Sequence, residues 1–213
     1  MFSYKLKGHI LEREASTKYL GVTLRTDMDW GEHVSNVSKK GNNMLGVLRR
    51  NLRTANQTTK TNAYKALVRP HVEYCCSVWN PHKGVDENKI EMIQRRAARY
   101  VTNRYHNTSS VTEMLDDLGW ETLKTRRVKA QLTMFYKIDN NLVDININDF
   151  ATLSRIATRA NHQRKYKHLP TCRNYFKFSF FPRTIPAWNS LSASVAEAPS
   201  LVSFKQGLSS FSC

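Results

Sequence analysis

Two neighbouring aspartates, Asp116-Asp117, are the residues in this chain that most resemble a metal-dependent catalytic pair. Paired acids of this kind hold Mg²⁺ against phosphate oxygens when they stand exposed on a strand-turn beside a further carboxylate. Here they sit in Met114-Leu115-Asp116-Asp117-Leu118, behind a Ser110/Glu113 capping-box signature, so the spacing predicts a helix and two solvated side chains. Asp27, Asp29 and Glu32 also cluster, and helix capping accounts for two of them. His162, His168 and Cys172, and separately His71 and Cys75 four residues apart, have a loose metal-like look but lack the paired Cys-x-x-Cys spacing of zinc sites. No glycine-rich phosphate loop, Gly-x-Ser-x-Gly elbow or Ser-His-Asp order is present. The expectation is a chain with no catalytic residue, no metal ligand and no cofactor of its own.

Binding chemistry is better represented. Residues 39–105 carry 14 Lys/Arg against 4 Asp/Glu, and residues 151–183 carry 8 against none, while the other segments nearly balance. The net charge of +16 is therefore placed in two blocks. Clustered cations gain free energy on a phosphate backbone by releasing condensed counterions, which points to nucleic acid as the partner. In the second block aromatic residues are interleaved with the charge. Tyr166, Tyr175, Phe176 and Phe178 are spaced among Arg164, Lys165, Lys167 and Arg173, the mixture that stacks on bases while neutralising phosphates. Tyr166 and Tyr175 are the contact candidates, whereas Phe180, Phe181 and Trp188 are expected in a core.

The elements that must carry these residues are mostly helical. Short extended pieces at residues 3–7, 10–14 and 19–24, separated by Gly8-His9 and Ala15-Ser16-Thr17, predict a small antiparallel patch. After Trp30 the period becomes helical, with Val34, Val37, Gly41, Leu45, Leu48 and Leu52 on one face. A second helix is predicted from Gln57 to Val68, with Ala63 and Leu67 inward and a break at Arg69-Pro70. A third runs from Asp86 to Thr102, with Ile90, Ile93, Ala97, Tyr100 and Val101 inward and Arg95, Arg96 and Arg99 outward. Thr122 to Asp139 is a further helix, residues 159–177 read as loop or hairpin, and residues 174–185 as extended. Residues 186–191 and 200–208 close the chain as short helices. The fold class expected is mainly α, with a short N-terminal β patch and a basic C-terminal α+β segment.

The four cysteines, Cys75, Cys76, Cys172 and Cys213, show no disulfide framework, and no apolar run is long enough to span a membrane. An intracellular location with reduced thiols is expected.

Several blocks, in order, resemble the C-terminal part of reverse transcriptases from non-LTR (LINE-type, jockey-like) retrotransposons. They begin with Lys18-Tyr19-Leu20-Gly21-Val22 and Asp27-Met28-Asp29-Trp30, and continue through Leu67-Val68-Arg69-Pro70-His71-Val72-Glu73-Tyr74 and Val78-Trp79-Asn80-Pro81. Gln94-Arg95-Arg96-Ala97-Ala98-Arg99, Leu118-Gly119-Trp120, Arg126-Arg127, Ser179-Phe180-Phe181-Pro182-Arg183-Thr184-Ile185 and Trp188-Asn189 complete the set. The resemblance implies four regions: residues 1–29 as the end of a palm with a primer-grip-like hairpin at Tyr19, Leu20 and Gly21; 30–105 as a helical thumb; 106–150 as a connector; and 151–213 as a basic tail region.

It also implies that the catalytic Phe/Tyr-x-Asp-Asp turn, with its Mg²⁺, belongs upstream of the segment matched by Tyr19-Leu20-Gly21. Asp116-Asp117 lies downstream and cannot substitute. The implied product is a non-catalytic remnant, holding template-primer or RNA through Lys39, Lys40, Arg49, Arg50, Arg95, Arg96 and Arg99, with Arg164, Lys165, Tyr166, Lys167, Arg173 and Tyr175 as a second surface. Missing polymerase portions are possible partners, and the nucleus or a cytoplasmic ribonucleoprotein is the implied location. The alternatives are a helical protein-interaction module or a transposon remnant without function.

Overall fold

Two consecutive β-hairpins open the chain in the computed structural model, which describes residues 4–106, 108–154 and 162–210. β1 (Lys5–Leu6) pairs with β2 (His9–Ile10), and β3 (Ser16–Tyr19) with β4 (Val22–Arg25), both antiparallel. Each turn places two residues in the left-handed region, Lys7 and Gly8 in the first, Leu20 and Gly21 in the second. That geometry matches the twist of the flanking strands. Ser16 and Thr17, expected as a spacer, belong to β3, so the anticipated three-stranded patch is two separate ribbons. The first ribbon is exposed along its length, whereas the second buries Val22 and Thr23.

Helix α1 (Gly31–Asn51) has Trp30 at its N-cap rather than the expected Asp29, whose Oδ1 instead accepts the Gly31 N–H at 2.8 Å from one position further out. Val34, Val37, Gly41, Leu45 and Leu48 are buried along one face. Gly41 is required there because a Cβ would lie 3.2 Å from both Ile93 Cδ1 and Val72 Cγ1. Helix α2 (Gln57–Ala63), capped by Asn56, runs into one π-helical turn (Tyr64–Val68) and then α3 (Arg69–Glu73) with Pro70 in its first turn. Lys60, Tyr64, Val68 and Val72 are buried at four-residue spacing through these elements, which leaves Leu67, expected inward, exposed.

Helix α4 (Gly84–Thr102) lies parallel to α1, with Ile93 beside Gly41 and the Tyr100 hydroxyl donating to the Leu48 and Leu52 carbonyls at 3.0 and 3.2 Å. All five side chains predicted inward on α4 are buried. α5 (Val111–Asp117) and α6 (Leu123–Asp139) start at Ser110 and Thr122, whose hydroxyls accept the Glu113 and Thr125 N–H groups.

The apolar residues form two cores. The first runs in sequence from Val22 to Leu123 and the second from Leu132 to Leu208, so α6 contributes its start to one and the rest to the other. Around the second core stand α7 (Asn174–Lys177), α8 (Phe180–Asn189), α9 (Ala193–Ala196) and α10 (Leu201–Gly207), the last capped by Ser200.

Residues 174–185, expected to be extended, are therefore helical for most of their length. In α8, Ile185 and Trp188 are fully buried three residues apart, and Pro186 is accommodated despite lacking an N–H. A proline inside a helix costs about 3 kcal/mol, and burying a Trp and an Ile outweighs it. The hairpin alternative for the basic segment survives only at its base, where Leu153 bridges Tyr166 and the Ser154 N–H donates to the Lys165 carbonyl at 2.7 Å. Arg159, at the start of that segment, lies outside the described residues. The architecture is mainly helical behind a small N-terminal β region, as expected.

Candidate nucleic-acid interface

Because α1 and α4 are parallel and share a buried seam, their outer faces form one continuous surface. Lys39, Lys40, Arg49 and Arg50 of α1 and Arg95 and Arg96 of α4 are exposed, and Arg99 is half-buried. Arg96 Nη1 donates to Asn42 Oδ1 at 2.9 Å, tying the two helices together through a neutral partner that leaves the guanidinium charge uncompensated. One turn along, Arg50 folds back over Gly46, 3.6 Å from where a Cβ would stand. Lys39, Asn42, Gly46 and Arg50 follow one another at helical spacing, with Arg96 beside Asn42.

None of Lys39, Lys40, Arg49, Arg50, Arg95, Arg96 and Arg99 forms an ion pair among the described residues. The reason lies in where the four carboxylates of this block point. Glu73 pairs with Arg126 and Arg69, Asp86 with Lys89, Glu87 with Lys124, and Glu91 stands 3.9 Å from Arg127. Glu91 also accepts the Leu123 and Lys124 N–H groups, capping α6. The acids are thus drawn largely toward α6, leaving seven of the eight cations of α1 and α4 without an ion pair among the described residues, with Arg95 alone facing a 670 Å³ cavity that Glu87, Glu91, Asp116 and Glu121 also line.

The β3–β4 hairpin lies along the first half of α1. His33 Nδ1 accepts the Thr23 N–H at 3.1 Å, and Asn36 donates to the Thr23 hydroxyl. Burial, aided by nearby Lys40, pushes the His33 pKa down to about 4. At the hairpin tip Tyr19 and Leu20 are exposed, the Leu20 carbonyl accepts the Tyr74 hydroxyl at 3.1 Å, and a Cβ on Gly21 would stand 3.4 Å from the Tyr74 ring. Tyr19, Leu20 and Gly21 therefore form a turn anchored to the segment after α3.

The fold removes two of the six residues proposed for the second basic surface, Tyr166 by burial and Arg164 by an ion pair. Tyr166, expected to stack on a base, is 3 % exposed, its ring edge-on to Phe135 and its hydroxyl donating to Asp139. Burial, then that hydrogen bond, raises its pKa. Arg164 is held by Asp139 at 3.1 Å and Asn140 at 2.8 Å, while the Lys165 carbonyl is engaged in the bridge. Phe178 stacks on His82 at 3.8 Å. Lys167, Arg173 and Tyr175 remain exposed, with Tyr175 lining a 400 Å³ cavity beside Asp27, His82 and Lys83.

A polar junction between the cores was not legible in the sequence. Arg127 Nε donates to Asn80 Oδ1 at 3.1 Å, and Arg183 Nη1 to the Asn80 carbonyl at 2.8 Å. Asn80, Arg126, Arg127 and Arg183 all belong to the blocks that carried the family resemblance, which was one available signal. Arg127 lies four residues from both Leu123 and Gln131 on the buried stripe of α6, so helical spacing was a second signal.

Among the described residues no three His, Cys, Asp or Glu side chains converge as metal ligands. Asp116 and Asp117 lie on α5, with Asp117 tied to Arg104 at 2.7 Å, so the pair does not fit the Mg²⁺ site of a polymerase. No helix of the described residues is long and apolar enough to cross a membrane.

The fold thus defines a mainly helical protein with one cation-rich double-helix face and no catalytic constellation among its described residues. Over 102 residues the chain is 28 % identical to a probable RNA-directed DNA polymerase from the transposon BS of Drosophila melanogaster, a match that covers 46 % of this chain and 11 % of that protein. The chain spans about a tenth of the length of this relative, and the similarity supports a reverse-transcriptase-related origin. No protein-family profile and no solved structure matches the chain.

Proposed function

We propose that this chain is the non-catalytic thumb and post-thumb portion of a non-LTR, jockey-like retrotransposon reverse transcriptase, and that its α1/α4 face grips the phosphate backbone of an RNA–DNA template-primer. The supporting observation is the segregation of charge: seven cations on two parallel helices without an ion pair, beside four carboxylates engaged elsewhere. Such a face contacts backbone without reading bases, as duplex clamping requires. In this reading the Tyr19-Leu20-Gly21 turn seats the primer end next to α1, and the remaining polymerase segments, with their Mg²⁺, are supplied by other sequence. The protein works inside the cell, in the nucleus or a cytoplasmic ribonucleoprotein.

The test is fluorescence anisotropy of the purified chain with an RNA–DNA template-primer across about 50–200 mM salt. Five to seven phosphate contacts predict a log–log slope of about −4.5 to −6. Weak binding without salt dependence, by a folded sample, would overturn the reading in favour of a helical protein-interaction module.

A further inference from the structure

The junction between the cores holds more buried positive charge than its own residues neutralise. Arg127 is fully buried, and its Nη1 and Nη2 have no hydrogen-bond partner among the described residues; the same holds for Nε and Nη2 of Arg183. Both guanidinium groups are fastened to the same residue, Asn80, through its side-chain and main-chain oxygens. Two cations are therefore held together, four of their nitrogens buried without acceptors.

The neighbouring acids do not balance this charge. Glu73 is taken by Arg126 and Arg69. Glu91 lies 3.9 Å from Arg127 Nη2, and both its oxygens accept main-chain N–H groups of α6. Cys76, which lies close to both arginines, is buried and its thiol pKa is pushed up to about 11, so it stays neutral. Two guanidinium charges against one carboxylate leave a single positive charge. An uncompensated buried charge is among the most destabilising features a fold can carry, and buried donors almost always find an acceptor.

We propose that Arg127 and Arg183 enclose a monovalent inorganic anion of chloride size, which pins α6, α8 and the Asn80 segment together between the two cores. Neither arginine lines the cavities of about 400 to 670 Å³ found elsewhere in the molecule, in keeping with a small guest. Its charge matches the residual one, and the unpartnered nitrogens supply the N–H donors a halide accepts.

The decisive measurement is a crystal of the wild-type chain soaked in sodium bromide, read by anomalous scattering. A bromide peak within hydrogen-bond distance of both guanidinium groups is the expected result. Water at that position, with bromide confined to the outer cations of α1 and α4, would show an adventitious ion only and overturn the proposal. In solution, melting is compared in sodium chloride and sodium gluconate at equal ionic strength, which holds screening of the net positive charge constant. Each tenfold rise in chloride beyond half-saturation lifts Tm by about 3–5 °C in chloride alone. Arg127→Met removes that anion-specific increment, and identical curves in the two salts for the wild-type chain reject the site. Neither readout involves nucleic acid, so failure here is separate from failure of the duplex-binding reading.

Discussion

The two basic blocks look alike in sequence and end in opposite circumstances. In residues 39–105 seven of the eight cations of α1 and α4 form no ion pair among the described residues, Lys89 alone being held by Asp86. In residues 151–183 Arg164 is paired with Asp139, Arg183 is drawn into the junction and Tyr166 into the second core. A segment with no acid of its own thus loses Arg164 to an acid on another element and Arg183 to the interior while Lys167, Arg173 and Lys177 stay exposed, and a block containing four acids keeps seven cations of α1 and α4 unpaired among the described residues. Local charge balance is a poor guide to exposed charge, because the partner that decides it is set by packing.

That contrast can be broken most directly by reversing charge on the first block. Arg95→Glu with Arg96→Glu and Arg99→Glu should lower template-primer affinity by roughly 100-fold or more and reduce the salt slope by about 3. Arg164→Ala, by contrast, should leave affinity within about threefold and lower Tm instead. If both sets weaken binding equally, the division between the blocks fails.

Acid tests the contact between the hairpin and α1. The folded His33 pKa, about 4, lies below its ordinary 6.5, so the unfolded chain binds the extra proton between those values. Stability from this group is complete above pH 6.5 and falls as pH drops toward 4, by an upper bound of about 3 kcal/mol. His162, also depressed by burial, contributes in the same direction. Denaturant midpoints of His33→Asn, which keeps an acceptor for the Thr23 N–H but cannot titrate, should therefore depend less on pH than those of the wild type.

Gly41→Ala forces a methyl against Ile93 and Val72 at 3.2 Å and should cost about 1–3 kcal/mol, read from urea unfolding. The smallest effect expected is Tyr166→Phe. It removes the hydroxyl from Asp139 and should cost about 1 kcal/mol of stability while leaving template-primer binding unchanged. A loss of affinity there would return Tyr166 to the interface.

Legibility followed range. Ser110 and Ser200 cap their helices as read, because a cap is a contact between residues three apart. The inward faces of α1 and α4 were visible for the same reason, since a 3.6-residue period is local. Leu67 is exposed because the buried stripe runs through Lys60, Tyr64, Val68 and Val72, one position over from the Ala63/Leu67 face, a choice made by what packs against it. The first half of α8 reads as extended because it is rich in Phe, and the gain that makes it helical, burial of Ile185 and Trp188, comes from another part of the chain, while its second half falls within the short helix expected over residues 186–191. The α1/α4 candidates were readable as outward positions, but their freedom from ion pairs was not.

By itself the sequence determined a mainly helical chain, the caps of two short helices and the inward faces of its longest ones, two clusters of positive charge and a resemblance to retrotransposon polymerases. Those properties depend on residue type and on neighbours a few positions away. Only the tertiary structure decided which cations remain free, that Tyr166 is a core residue, and that Arg127 and Arg183 meet at Asn80. Each of those outcomes depends on which side chain from a distant segment arrives beside it, and that is fixed by how the two cores pack around α6.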